Sequence, residues 1–375
     1  MKKIFALILA SLLMLSLFAC GQENTPSGSE GSTETTKETE TTTEKETEPA
    51  TETETETEKE TETETETETE TEPAYESVKI NLGGLKGPTT MGMVKLLADA
   101  AENKTANEYA FTIAGAADEL TPKFVKGELD IIAAPANLGA VLYNKTSGGV
   151  QMIAVDTLGV LYIVEKGGET VNSLKDLAGK TVYATGKGST PEYVLTYLLS
   201  ENGLTIGTDV NVEWKSEPTE VVQLMAQEEN SVAMLPQPYV TVASTQLEGL
   251  RIAADLTAEW KALDNGSELV TAGIFVRKAF ADEHPEAVAK FLEEYAASVE
   301  YVNANVDEAA ALVEQFEIVK APIAKKAIPY CNLVAFTGNE MKKMTEGYLG
   351  VLFAANEDSV GKALPGEDFY WINEK

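Results

Sequence analysis

The residues best suited to chemistry lie together in Gly186-Lys187-Gly188-Ser189-Thr190-Pro191-Glu192. Lys180–Thr185 before them reads as a buried strand, and Tyr193–Leu199 after them as an amphipathic helix with helical apolar spacing. Ser189 or Thr190 suits the N-cap, and Pro191 suits the first helical turn, where a missing N–H costs nothing. The glycines let the backbone come close to a bound group. The chemistry on offer is non-covalent. Unpaired amides at a helix start, the positive end of its dipole and the Lys187 ammonium together hold a small anion. The same residues also build a well-capped strand-to-helix turn that binds nothing. Glu192 complements the helix dipole or, turned inward, favours an amine or amidine over an anion. Gly83–Thr90 repeats the layout, with Lys86, Thr89 and Thr90 between a strand and a helix.

Covalent and metal chemistry find little support. His284 is the only histidine and sits in a helix-entry turn, Asp282-Glu283-His284-Pro285. With two cysteines, Cys20 and Cys331, that inventory nearly excludes Cys/His zinc sites and histidine-based catalysis. No catalytic residue, metal or cofactor is expected. Cys331 reads as a lone thiol buried in a helix. The chain carries a formal charge of −32 and has no basic block, which argues against nucleic acid as a partner.

These residues need elements to hold them, and the chain supplies them unevenly. Lys2 and Lys3 precede an apolar run, Ile4–Phe18, too short for a comfortable membrane span, so residues 1–20 have a secretory signal layout. Residues 21–76 contain 20 glutamates and 3 lysines among threonines, with almost nothing apolar to bury. They read as a disordered, extended tether. From Ser77 strand and helix patterns alternate, and Leu174–Lys180 resets the pattern, so two units follow one another. After Leu269–Val276 the patterns are mostly helical: Pro285–Asn303, Val306–Gln315, Ala321–Ile328 and Asn339–Ala354. Alternation over some 300 residues predicts an α/β fold with parallel sheets covered on both faces, in two lobes. Phe369-Tyr370-Trp371 reads as a packing tail.

Leu17-Phe18-Ala19-Cys20 resembles the bacterial lipoprotein cleavage box, which would make Cys20 the lipidated first residue of the mature chain. Other stretches resemble the nitrate/sulfonate/taurine-type substrate-binding lipoproteins of ABC importers, a group that also includes binders of a thiamine-precursor pyrimidine. They are Leu129-Asp130-Ile131 running into Ala134-Pro135-Ala136, the Asp176–Val182 entry, the Gly188-Ser189-Thr190 helix start, the Pro236-Gln237-Pro238-Tyr239 corner and the Ala272–Val276 return strand. The resemblance spans residues 77–375 and rests on the order of these motifs. It implies a two-lobed type II periplasmic-binding-protein fold with two crossover segments as hinge. Lobe one would be 77–160 plus 267–375, and lobe two 161–266.

The ligand of such a fold belongs at the carboxyl ends of the strands. That adds Asn137, Thr157, Gln237 and Tyr239 to Lys86, Thr89, Thr90, Lys187, Ser189, Thr190 and Glu192 as candidate ligand-binding residues. Asn137 donates to an oxyanion or caps its helix. Gln237 and Tyr239 offer a hydrogen bond and a stacking wall. The implied function is an extracytoplasmic, lipid-anchored receptor, monomeric and not an enzyme, that closes on a small anionic or organic solute. Its partners would be the solute, a permease and ATPase, and the membrane through its anchor. The alternatives are a thiamine-pyrimidine binder and a non-transport surface sensor or adhesin.

Overall fold

The computed structural model describes residues 75–373. The signal layout, Cys20 and nearly all of the expected tether lie outside the described residues. Chain order begins with β1 (Lys79–Leu85), α1 (Pro88–Met91), α2 (Val94–Ala101), β2 (Glu108–Ala114), α3 (Ala117–Val125), β3 (Ile131–Pro135), α4 (Ala136–Lys145) and β4 (Val150–Thr157). A second run follows: β5 (Leu161–Lys166), β6 (Thr181–Thr185), α5 (Thr190–Glu201), β7 (Asn211–Lys215), α6 (Pro218–Gln227), β8 (Ser231–Pro236), α7 (Tyr239–Gln246), β9 (Leu250–Asp255) and α8 (Leu256–Ala262). The chain then returns through β10 (Ala272–Arg277), α9 (Lys278–Glu283), α10 (Pro285–Ala304), α11 (Val306–Gln315), α12 (Ala321–Ala327), β11 (Leu333–Phe336) and α13 (Gly338–Ala355).

Two sheets result, one per lobe, in the orders β11-β4-β10-β3-β1-β2 and β7-β6-β8-β5-β9. Neither is wholly parallel, which corrects the expectation from alternation. β1 pairs in parallel with β2 and β3, and β6 with β7 and β8, but β10 runs antiparallel to β3 and β4, and β5 to β8 and β9. The reason is the crossing. A strand that enters a lobe from the cleft must run away from it, opposite to the strands that end there. Strand β11 and helix α8 leave no clear signal in the sequence, because four and seven residues are too short to show a period. Cys331 is buried as expected, but it follows a short turn and lies outside any helix.

The crossings are held tightly. Residues 158–160 join β4 to β5, and the Thr271 amide donates to the Thr157 carbonyl at 3.0 Å, binding the outgoing and returning segments together. Leu158 donates to the Asn332 carbonyl, and the Asn332 side-chain amide donates to the Gly159 carbonyl at 2.5 Å. A Cβ on Gly159 would stand 2.0 Å from Thr257 Oγ1, so the first crossing needs glycine for close approach. One apolar cluster runs through both lobes on one face, joining Val155, Tyr348, Leu349 and Leu352 to Leu195, Leu198 and Trp260. Among the described residues no helix is long and apolar enough to cross a membrane.

Candidate functional site

The strands of both sheets end at one cleft of about 480 Å³. Its floor is the crossing itself, with Thr157, Val160, Leu161, Thr271 and Ala272. The first lobe adds Leu85–Thr89, Gly115–Asp118 and Leu138, and the second adds Thr185–Pro191, Lys215, Ser216, Pro218, Gln237 and Tyr239. The starts of α3, α5, α6 and α7 therefore converge on this space, each with first-turn amides that have no intrahelical partner.

The loop before α5 is shaped by glycine. Gly186 and Gly188 take φ of 83° and 76°, a left-handed backbone that costs other residues energy. Ser189 is the N-cap residue, but its hydroxyl donates to the Gly186 carbonyl at 2.8 Å and so ties the loop to itself. Lys187 stands exposed on the rim, as does Lys86 opposite. Thr89 lines the cleft while its hydroxyl donates to the Leu85 carbonyl, which leaves its oxygen free to accept. On the floor, the Thr157 hydroxyl is buried and without a partner among the described residues, and so is that of Thr271. The Gln237 side-chain oxygen accepts from the Thr241 hydroxyl, and Tyr239 forms a nearly buried wall whose hydroxyl pKa is raised by burial and then by Glu217.

Seven candidates from the sequence plus Thr190 thus reach the cleft: Lys86, Thr89, Thr157, Lys187, Ser189, Gln237 and Tyr239. Thr190 borders the cleft but is itself fully buried, its hydroxyl donating into protein to Asn137 Oδ1 at 3.2 Å. Three candidates are not on the wall. Thr90 is fully buried, donating to the Leu85 carbonyl at 2.6 Å and packing on Gly84. Asn137 is fully buried, its amide donating to the Ser359 carbonyl at 2.8 Å. Glu192 turns back to accept the Gly188 amide at 2.5 Å, satisfying its own helix start instead of facing the cleft.

Several cleft residues were missed. Lys215-Ser216-Glu217-Pro218 has the same form as the stretch before α5: a strand end, a lysine, a hydroxyl and a proline opening a helix. That signal could have found it. The half-buried Lys215 ammonium lies over the Tyr183 ring and 3.2 Å from Glu213. The start of α3 carried no such signal, and its Gly115 and Ala116 amides are already taken by Glu119.

The cations of the cleft are all lysines. Arg251 and Arg277, the only arginines of the chain, are committed to Glu165 and Asp130 away from it. An anion here would meet point charges and backbone amides, not a planar guanidinium fork.

A family profile described as an ABC transporter, phosphonate, periplasmic substrate-binding protein matches residues 89–326. No curated protein matches the chain. Among solved structures, an ABC transporter protein from Parabacteroides distasonis is similar at 23% identity and TM-score 0.64, over 79% of this chain and 99% of that one. The periplasmic aliphatic sulphonate-binding protein SsuA of Escherichia coli is similar at 15% identity and TM-score 0.61, over 75% and 94%. The periplasmic nitrate-binding protein NrtA of Synechocystis is similar at 14% identity and TM-score 0.57, over 76% and 84%. At these identities the likeness is one of fold, a two-lobed α/β architecture.

Proposed function

The chain belongs to the periplasmic phosphonate substrate-binding proteins of ABC transporters, and from that premise we propose that it captures an organic oxyanion, a phosphonate or sulfonate with a small carbon substituent. The observation that carries this is the composition of the cleft: Lys86, Lys187 and Lys215 on its rim, with Leu85, Leu138, Val160, Leu161 and Tyr239 beneath them. The lysines and helix starts suit the anionic group. The apolar wall suits the substituent, and a space of about 480 Å³ is far more than bare nitrate needs. Glu192, turned to Gly188, removes the main reason to expect an amine or aminopyrimidine.

Receptors of this family bind a solute and hand it to a permease, without transforming it. The box at Cys20 would anchor this one, as a monomer, to the outer face of the cell membrane.

Thermal shift and calorimetry on the full chain test the reading, with methylphosphonate, alkanesulfonates, taurine, nitrate and an aminopyrimidine as probes. A true solute at 100 times its Kd stabilises by about 2.7 kcal/mol. Lys187→Ala and Lys215→Ala should each weaken a phosphonate or sulfonate about tenfold, the loss of one charge-assisted contact of roughly 1.4 kcal/mol. Binding of the aminopyrimidine alone, or oxyanion binding indifferent to both lysines, would overturn it.

A further inference from the structure

The two sides of the cleft are joined very differently. At the start of α5, in the second lobe, the Thr190 hydroxyl lies 3.2 Å from Asn137 Oδ1 of α4 and accepts from the Tyr348 hydroxyl of α13 at 3.4 Å. Asn137 and Tyr348 belong to the first lobe, and all three side chains are 0% exposed. Asn137 is itself fixed by its amide on the Ser359 carbonyl. Behind this cluster the ring of Trp260 from α8 stands 5.5 Å from that of Tyr348 and 5.1 Å from that of Tyr197 on α5. The apolar residues around them form one core through both lobes. On the other face α12 and α7 also touch, but among the described residues no side-chain hydrogen bond joins them as Thr190 joins the seam.

At the far end of the cleft the lobes meet only lightly. Glu217, the exposed N-cap residue of α6, reaches toward Gly115, where a Cβ would stand 2.7 Å from its Oε1. Parting these two exposes a carboxylate and a glycine, both at home in water. Parting α5 from α4 and α13 would strip buried polar groups of their partners and open a continuous apolar core.

We propose that Asn137 and Tyr348 are positioning residues that pin Thr190 to the first lobe. The second lobe then turns about the start of α5, and the cleft opens at its Gly115–Glu217 end. The Lys187–Thr190 loop keeps its place beside Thr89 and Thr157, while Lys215 and Ser216 swing in to complete the site. Half of the cleft is thus preformed, and Lys215 is the contact made only on closure. This rests on the receptor reading only in taking the cleft as the site, and it holds whatever the solute.

Distance measurements between paired spin labels in the full chain, without solute, test it separately from that reading. One pair, Lys123→Cys with Gln223→Cys, spans the mouth from α3 to α6. The other, Ser200→Cys with Ala355→Cys, spans the α5–α13 seam. Both are made in Cys20→Ser, with the buried Cys331 left unlabelled. The seam pair should give a single narrow distance, and the mouth pair a distribution at least twice as wide. Thr190→Val and Tyr348→Phe, which remove a hydroxyl and little volume, should broaden the seam distribution, and Thr190→Ser should leave it narrow. A mouth distribution no wider than that of the seam overturns the proposal. So does a seam that stays narrow in both hydroxyl-deleting variants.

Discussion

Two buried carboxylates of this protein are handled in opposite ways, and both yield pH tests. Burial alone would push Glu165 upward. Hydrogen bonds from the Thr170 hydroxyl and amide, the Val171 amide and the Arg251 guanidinium outweigh it and hold the group down at about 2. A depressed carboxyl stabilises the fold above its unfolded pKa, near 4.3, and that contribution fades as pH falls toward 2. Glu165→Gln leaves Arg251 without its counter-charge and should cost about 3 kcal/mol in urea unfolding at pH 7. The difference from wild type should shrink at pH 3. Asp156 is the reverse case. It is the extra residue of β4 at a bulge in the β4–β10 pairing, with neither oxygen hydrogen-bonded among the described residues, and burial raises it to about 8. Folding therefore takes up a proton, and stability falls as pH rises from about 4 to 8, by at most about 1.4 kcal/mol per unit. Asp156→Asn should abolish that slope and be more stable than wild type at pH 9. Parallel curves for the two proteins would refute it.

At the scale of elements, helices reach the cleft because they sit close on their sheets. Helix α4 lies against β10 at Gly139, where an added Cβ would come 2.0 Å from the Phe275 ring. Gly139→Ala should therefore cost about 2 kcal/mol, read as a lower denaturation midpoint at unchanged m-value. Helix α6 is held at its other end. Lys166 at the end of β5 donates to the carbonyls of Met225 and Ala226, satisfying acceptors that a helix C-terminus leaves open. Lys166→Met should cost about 1 kcal/mol. It should also loosen the Lys215–Pro218 end of the cleft less than the α6 C-terminus, which amide exchange resolves by segment.

For the whole molecule the decisive place is the crossing. Gly159 lies where both segments and Asn332 meet, and it has no space for a side chain, with Thr257 Oγ1 and Leu269 Cδ2 at 2.0 and 2.9 Å from where a methyl would stand. Gly159→Ala must move the crossing away from α8, and an overpacked site of this kind costs about 1–3 kcal/mol. Because that strain falls on the joint between lobes, it should also change the mouth distance of the spin-labelled protein. Loss of stability with an unchanged mouth would confine the effect of Gly159 to packing.

Much of this was legible in residue order. Alternating strand and helix patterns, the reset at Leu174–Lys180 and the glycine-lysine-hydroxyl-proline grammar before α5 all reflect local preferences, and local preferences are written in neighbouring residues. The same grammar recurs at Lys215–Pro218, where it opens α6. What neighbouring residues do not carry is which way a side chain turns once two helix starts and two lobes compete for it. Glu192 closes on Gly188, Thr90 sinks beneath β1, and Asn137 reaches Ser359, 222 residues away in the chain. Thr190 reads as a ligand residue in sequence. That its hydroxyl meets Asn137 and Tyr348 is decided only in tertiary structure, because those residues lie 53 and 158 positions away and reach it only once both lobes have formed.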